Sequence, residues 1–162
     1  MTNKERFLEL CSKVKREGIE DLVKWLEASD FFYAPASTRF HGSYAGGLLE
    51  HSMNVYDELA RLLAAYPEVK TSEETAIIIS LFHDLCKVNT YQVEKRNRKD
   101  SNGKWESYDA YTTDEKFHYG GHGSKSVFIL QNYMKLTAEE AVPVNAHMSC
   151  WDGNTSVGSA YE

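Results

Sequence analysis

At 162 residues the chain is long enough for one compact domain and too short for two ordinary ones. Its 42% hydrophobic and 12% aromatic content excludes a disordered chain, and a net charge of −6 excludes a surface built wholly to hold a polyanion, while leaving room for a local basic patch. Cys11, Cys86 and Cys150 are odd in number and form no C-x-x-C pair, which excludes a disulfide framework or a thiolate zinc site and implies reduced thiols. The start Met1-Thr-Asn-Lys-Glu-Arg lacks an apolar signal stretch and no apolar run reaches membrane-spanning length, so the reading is a soluble cytoplasmic protein with no membrane partner.

From Lys4 to about Ala28, apolar residues at three- and four-residue steps (Phe7, Leu8, Cys11, Val14, then Ile19, Leu22, Val23, Leu26) predict two short helices split at Gly18. Asp30 to Gly47, with its aromatic, hydroxyl and glycine residues, reads as an ordered loop leading into a helix over about Gly47 to Ala65, which stops at Tyr66-Pro67. A further helix, opened by a Thr71–Glu74 capping box and apolar almost all round, is expected to run unbroken to about Val88 as the central buried helix. Asn102-Gly103 between two alternating aromatic segments predicts a β-hairpin over about 91–111. Helices over about Ser124–Met134 and Ala138–Cys150 complete the chain, the last opened by the box Thr137-x-x-Glu140.

The chemistry lies in the histidines and in one acid. Six histidines are present: His41, His51, His83, His118, His122 and His147. Asp84 falls within an apolar helix, where an unpaired carboxylate is very costly to bury, so a cation must compensate it. Two arrangements do so: an ion pair to Lys87 one turn on, with His83 a satisfied core histidine, or a metal ion shared with neighbouring imidazoles. The second gains from His51 after one Gly-Gly turn, His122 after another and His147 on the last predicted helix, each of which otherwise needs a separate structural explanation.

The segment Phe40-His-Gly-Ser-Tyr-Ala-Gly-Gly-Leu-Leu-Glu-His51, joined over 83 − 51 = 32 residues to Leu81-Phe-His83-Asp84-Leu-Cys-Lys87, resembles the HD-domain metal-dependent phosphohydrolases. The Gly-Gly-Leu-Leu-Glu-His form is especially similar to HD domains of certain 3′-to-5′ exoribonucleases and of small bacterial and phage proteins. This likeness, covering Phe40 to the end, implies an all-α HD-type helical bundle carrying one inserted hairpin. It also implies metal held by His51, His83 and Asp84, with His122 and His147 completing a second position. The alternatives are a helix-capping loop histidine for His122 and a core histidine for His147. A final aspartate ligand normally lies beyond a segment similar to Val157-Gly-Ser-Ala-Tyr-Glu162, so the expectation is one domain over 1–162 lacking its last helix or helices. Asp152 does not match that position and otherwise reads as a solvated loop acid.

Imidazole and carboxylate ligands suit one or two Mn, Fe, Co, Ni or Zn ions better than calcium, with Mg also admitted. The implied reaction is hydrolysis of a nucleotide or short nucleic-acid phosphoester by metal-activated hydroxide, Asp84 and Lys87 being the catalytic residues. Lys87, Arg39 and His41 are the expected substrate-binding residues, with Tyr44 at the mouth, against an ion pair for Lys87 and a surface salt bridge for Arg39. His118 is expected to face solvent or pack on the hairpin. Basic and aromatic residues interleaved on the hairpin (Lys95, Arg96, Arg98, Lys99, Trp105, Tyr108) offer a nucleic-acid surface or a substrate-selecting lid, while a solvated charge run with packing aromatics is the favoured account. A catalytically idle HD module binding a nucleotide or a protein partner is the alternative function.

Overall fold

A computed structural model of the protein describes residues 1–148; Cys150, Asp152 and the Val157–Glu162 segment lie outside the described residues. Helix α1 (Asn3–Lys13) starts on a reciprocal cap, Thr2 Oγ1 accepting from Glu5 N–H while Glu5 accepts from Thr2 N–H. It buries Phe7, Leu10 and Cys11, and α2 (Ile19–Ala28) buries Leu22 and Leu26. Phe7 anchors an aromatic cluster, its ring centroid 5.1 Å from Phe31, 5.5 Å from Phe32 and 6.0 Å from Phe82. Tilted and edge-on contacts of this kind add to the burial energy of the rings.

The loop after α2 folds tightly onto the start of α3 (Gly47–Ala65). A Cβ on Gly47 would meet the Gly42 carbonyl oxygen at 2.0 Å, so the close approach needs glycine. Helix α4 (Glu73–Phe82) is capped by Ser72, whose Oγ accepts from Thr75 N–H at 3.0 Å, in place of the expected Thr71 box. Its buried residues include Ala76, Ile77, Ile78, Leu81 and Phe82, as its all-round apolar character predicts.

The unbroken helix to Val88 is not formed. His83 caps α4, Asp84 leaves helical geometry at φ −106° and ψ 23°, and Leu85–Lys87 turn as a short 3-10 segment. His83 Nδ1 lies 2.8 Å from the Ser80 carbonyl oxygen, the acceptor that Asp84 N–H would use in a continuing α-helix. Side-chain competition for one carbonyl therefore accompanies the break.

Strands β1 (Tyr91–Lys99) and β2 (Trp105–Thr113) pair antiparallel in the register Tyr91↔Thr113 to Lys99↔Trp105. Asp100 Oδ1 closes the tip by accepting from Asn102 N–H at 2.8 Å and Lys104 N–H at 2.9 Å, with Gly103 at φ +78°. The all-α bundle implied by the resemblance is thereby corrected: six α-helices stand beside a two-stranded antiparallel sheet, so the described fold is mixed, mostly helical with one hairpin. Each strand has nine residues, too much regular ladder to count as a decorated loop.

Helices α5 (His122–Gln131) and α6 (Ala138–Ala146) close the described chain. The Thr137–Glu140 box is present, and Glu140 does more than cap. With its side chain fully buried, it accepts from Arg16 at 2.9 and 2.8 Å, from Thr137 N–H at 2.8 Å and from Thr75 Oγ1 at 3.3 Å, binding α6 to α4 and to the turn before α2. A Cβ on Gly123 would lie 2.1 Å from the Asn145 carbonyl oxygen, so α5 and α6 also meet through a glycine. Among the described residues no helix is long and apolar enough to cross a membrane.

Glu140→Gln should destabilise the fold by about 2 kcal/mol at pH 7, because it leaves the part-buried Arg16 with only Glu74, at 3.4 Å, as an acidic partner. The Glu140 carboxyl titrates lower than usual: burial opposes ionisation, but Arg16 and the Thr137 backbone outweigh it. A depressed carboxyl stabilises fully above its unfolded pKa, about 4.3, and loses that contribution as pH falls through the folded value. Thermal unfolding of both proteins from pH 7 to 3 should show a gap that closes on the acid side; equal stability at pH 7 refutes the assignment.

Candidate metal centre

Four segments bring donors to one place. His51 sits just over one turn into α3, His83 and Asp84 at the end of α4, Lys87 in the 3-10 turn, and His147 at the cap of α6, just past the helix expected to contain it. His83, Asp84 and Lys87 are all buried. His51 Nε2 lies 3.0 Å from His83 Nε2, and Asp84 Oδ2 lies 3.2 Å from the first and 3.3 Å from the second. One ligand atom from each of His51, His83 and Asp84 falls within a span of 4.8 Å. His147 Nε2 approaches the other carboxylate oxygen, Oδ1, at 3.3 Å.

Tautomers turn this cluster into a chemical statement. A carbonyl oxygen only accepts, so the 2.8 Å contact from His83 Nδ1 to Ser80 O and the 2.7 Å contact from His147 Nδ1 to Val144 O place a proton on each Nδ1. In the neutral rings both Nε2 atoms then carry lone pairs, and they point at a carboxylate and at a third imidazole. His147 Nε2 is buried with no hydrogen-bond partner despite its nearness to Asp84. Carbonyl-anchored histidines offering Nε2 to a shared centre match the outer-shell pattern of metal sites. This donor set fits a divalent transition metal held by His51, His83 and Asp84, with His147 in reach of the aspartate's far oxygen.

Asp84 and its imidazole neighbours shift one another. Burial opposes the Asp84 carboxylate, yet contacts from His147, His51 and His83 hold its pKa well below the ordinary range. Burial also opposes charge on His147, and Asp84 outweighs it, raising that imidazole's pKa. His41, whose ring is tilted against His51 with centroids 4.9 Å apart, is shifted down by burial and by the neighbouring His51 and Lys87. The site demands positive charge, which a proton or a metal can satisfy at the same lone pairs. Lys87 supplies part of it, its Nζ 2.7 Å from Asp84 Oδ2. The ion pair considered from sequence thus coexists with the imidazole cluster.

These groups line a cavity of about 720 Å³, also bordered by His41, His122, Phe40 and Tyr91. His122 shares the cavity, but its Nδ1 lies 3.4 Å from Cys86 Sγ, and it is not part of the tight three-residue group. Arg39 does not border the cavity; its guanidinium lies 5.2 Å from the centre of the Phe40 ring. Tyr44 is engaged with Glu50 at 2.8 Å, and His118 is exposed beside Glu115 at 3.1 Å. On the hairpin, Lys95 pairs with Asp109 at 2.6 Å, Arg96 with Glu94 at 2.5 Å and Arg98 with Glu106 at 2.6 Å, so three of its cations are already matched by acids.

Sequence reasoning missed Cys86, buried between Asp84 and His122, with its thiol pushed up to about 12 by burial and the Asp84 charge. It also missed Tyr91 as a cavity residue and Ser80 and Val144 as the carbonyls that orient two imidazoles. The Ser80-to-His83 and Val144-to-His147 spacings, three residues in each case, were available signals for the last pair. No family model, no curated protein and no solved structure matches this chain.

Purified protein soaked with Mn²⁺, Co²⁺ or Zn²⁺ and desalted should retain stoichiometric metal by elemental analysis. His51→Ala, a partly exposed position that removes one donor, should lower affinity at least tenfold with an unchanged circular dichroism spectrum. Equal retention by both proteins, or by neither, counts against the centre.

Proposed function

We propose that this protein is a divalent-metal-dependent phosphohydrolase acting on a nucleotide-like phosphoester. The observation that carries this reading is the convergence of the His51 and His83 Nε2 atoms on a buried Asp84 carboxylate, with the His83 Nδ1 proton committed to Ser80. The likeness of Phe40–His51 and Leu81–Lys87 to the HD-type enzymes supplies the reaction class. A divalent ion bound there supplies Lewis acidity toward a phosphoryl oxygen and lowers the pKa of a coordinated water toward neutrality.

The remaining steps fall to the chain. Ser80 fixes the His83 ring so that Nε2 always faces the site, and Asp84 presents one oxygen to His51 and His83 and the other to His147. Lys87, on the cavity wall, is the cation that meets a substrate phosphate oxygen, and it exchanges its Asp84 contact for that role. His41 borders the mouth beside His51 and offers a hydrogen bond to the same phosphate. Cys11 and Cys86, both buried free thiols, suit a reducing compartment, and we assign the activity to the cytoplasm.

A second reading, an idle module that binds a nucleotide or protein partner without metal, draws on one observation. Lys87 at 2.7 Å already compensates much of the Asp84 charge.

With Mn²⁺ or Co²⁺ present, the protein should release phosphate or nucleotide from a panel of nucleoside phosphates and short RNAs. A chelator should abolish release, and His51→Ala should cut it at least a hundredfold. Metal-replete protein silent across the panel sinks the hydrolase reading and leaves the idle module.

A further inference from the structure

The cavity has a second recognition element away from its ligands. Phe40 borders it and yet remains 71% exposed. A single exposed ring on a surface needs no explanation, but this one is held in place at the mouth of a site. Ser37 Oγ accepts from Phe40 N–H at 2.8 Å and donates to the His41 carbonyl at 2.8 Å, and Ser43 Oγ donates to the Thr38 carbonyl at 2.8 Å. Ala36 N–H donates to Gly42 O at 2.8 Å, closing the loop on itself. The Arg39 guanidinium, 5.2 Å from the ring centre, adds a second planar group.

Position and charge narrow the ligand. Phe40 is the sequence neighbour of His41, whose ring is tilted against that of the candidate ligand His51 with centroids 4.9 Å apart, and all three residues line the same cavity. Tyr91 brings another aromatic ring to the cavity, tied by its hydroxyl to the Ala36 carbonyl at 3.5 Å. Among the described lining residues Lys87 is the one Lys or Arg, and it is engaged with Asp84. With three of the five hairpin cations also matched by acids, the cavity itself offers little to hold a polyphosphate or a nucleic-acid backbone. The cavity suits one phosphate and one planar aromatic group, and its volume of about 720 Å³ is of small-molecule size.

We infer that the site takes a nucleoside monophosphate, its phosphate at the His51–His83–Asp84 end and its base stacked on Phe40. The phosphate end rests on the phosphohydrolase reading, whereas the base end rests on Phe40. An aryl phosphate shares the chemistry of a phosphate joined to a ring but lacks the sugar between them, so phenyl phosphate is the comparison that separates a nucleotide from a simple aromatic ester.

Calorimetric binding of AMP, ribose 5-phosphate, phenyl phosphate and a pentameric RNA to the Mn²⁺-loaded protein, its Phe40→Ala variant and its Phe40→Trp variant tests this. AMP should bind the unaltered protein about tenfold or more tighter than ribose 5-phosphate, Phe40→Ala should erase that advantage, and Phe40→Trp should keep it. No preference for AMP, a preference that survives Phe40→Ala, phenyl phosphate equal to AMP, or the pentamer more than tenfold tighter each overturns the inference. Turnover measured on the same samples separates the two readings: AMP bound through its base but never hydrolysed ends the hydrolase reading alone. Ribose 5-phosphate hydrolysed as well as AMP, without a binding preference, ends the base-stacking inference alone.

Discussion

A carboxylate buried to 2% exposure cannot stand alone, and the surroundings of Asp84 are organised around that fact. Lys87 reaches back one turn, His51 and His83 face one oxygen, and His147 faces the other. The same demand is seen in the backbone. Helix α4 stops at Phe82, and the chain turns through a short 3-10 segment that carries Lys87 into contact with the acid. Breaking a buried ion cluster by removing one partner is far more costly than the cluster's net contribution to stability, so such groups are retained for function or specificity more readily than for stability.

Holding this cluster falls to contacts distant from it. His147 is supplied by the end of α6, and α6 is positioned by Glu140, which gathers Arg16, Thr75 and the Thr137 cap around one fully buried carboxylate. At its other end α6 meets α5 through Gly123, where no side chain would fit. His51 is placed by the close passage of Gly42 and Gly47 at the start of α3. The two glycine-rich turns that precede His51 and surround His122 therefore have steric roles as well as positional ones. Precision at the candidate site is set by rigid elements packed through backbone, with the carbonyls of Ser80 and Val144 turning the rings.

Three of the five hairpin cations are paired locally. Five cations, Lys95, Arg96, Arg98, Lys99 and Lys104, share the ribbon with Glu94, Asp100, Glu106 and Asp109, and cross-strand and neighbouring pairs form along it. Its aromatic residues Tyr108 and Trp105 lie under Arg98 and Lys99 at 4.8 and 5.5 Å. Such pairs stabilise a two-stranded ribbon that buries little on its own; the charge run is solvated as favoured from sequence, but Trp105, 65% exposed, lies against Lys99 of the ribbon instead of packing the hairpin on the helices. The hairpin's contribution to the cavity comes from its base, where Tyr91 and Thr113 line the wall.

Local signals determined much of this protein. Helical periodicity placed α1, α2 and α3, Asn102-Gly103 placed the hairpin turn, and the Thr137-x-x-Glu140 spacing placed the start of α6, because each depends on residues a few positions apart. The requirement that Asp84 meet a cation was legible as well, since burial of an apolar stretch can be read from its composition. Only the tertiary structure decided that α4 ends at Phe82, that each hairpin strand extends to nine residues and makes the fold mixed, and that His41 turns to His51. Those outcomes depend on which of several available partners wins a single acceptor and on contacts between segments, which the periodicity of one stretch does not decide. Asp84 could be recognised in the sequence as an acid in need of a cation; which imidazoles would face it was settled by packing.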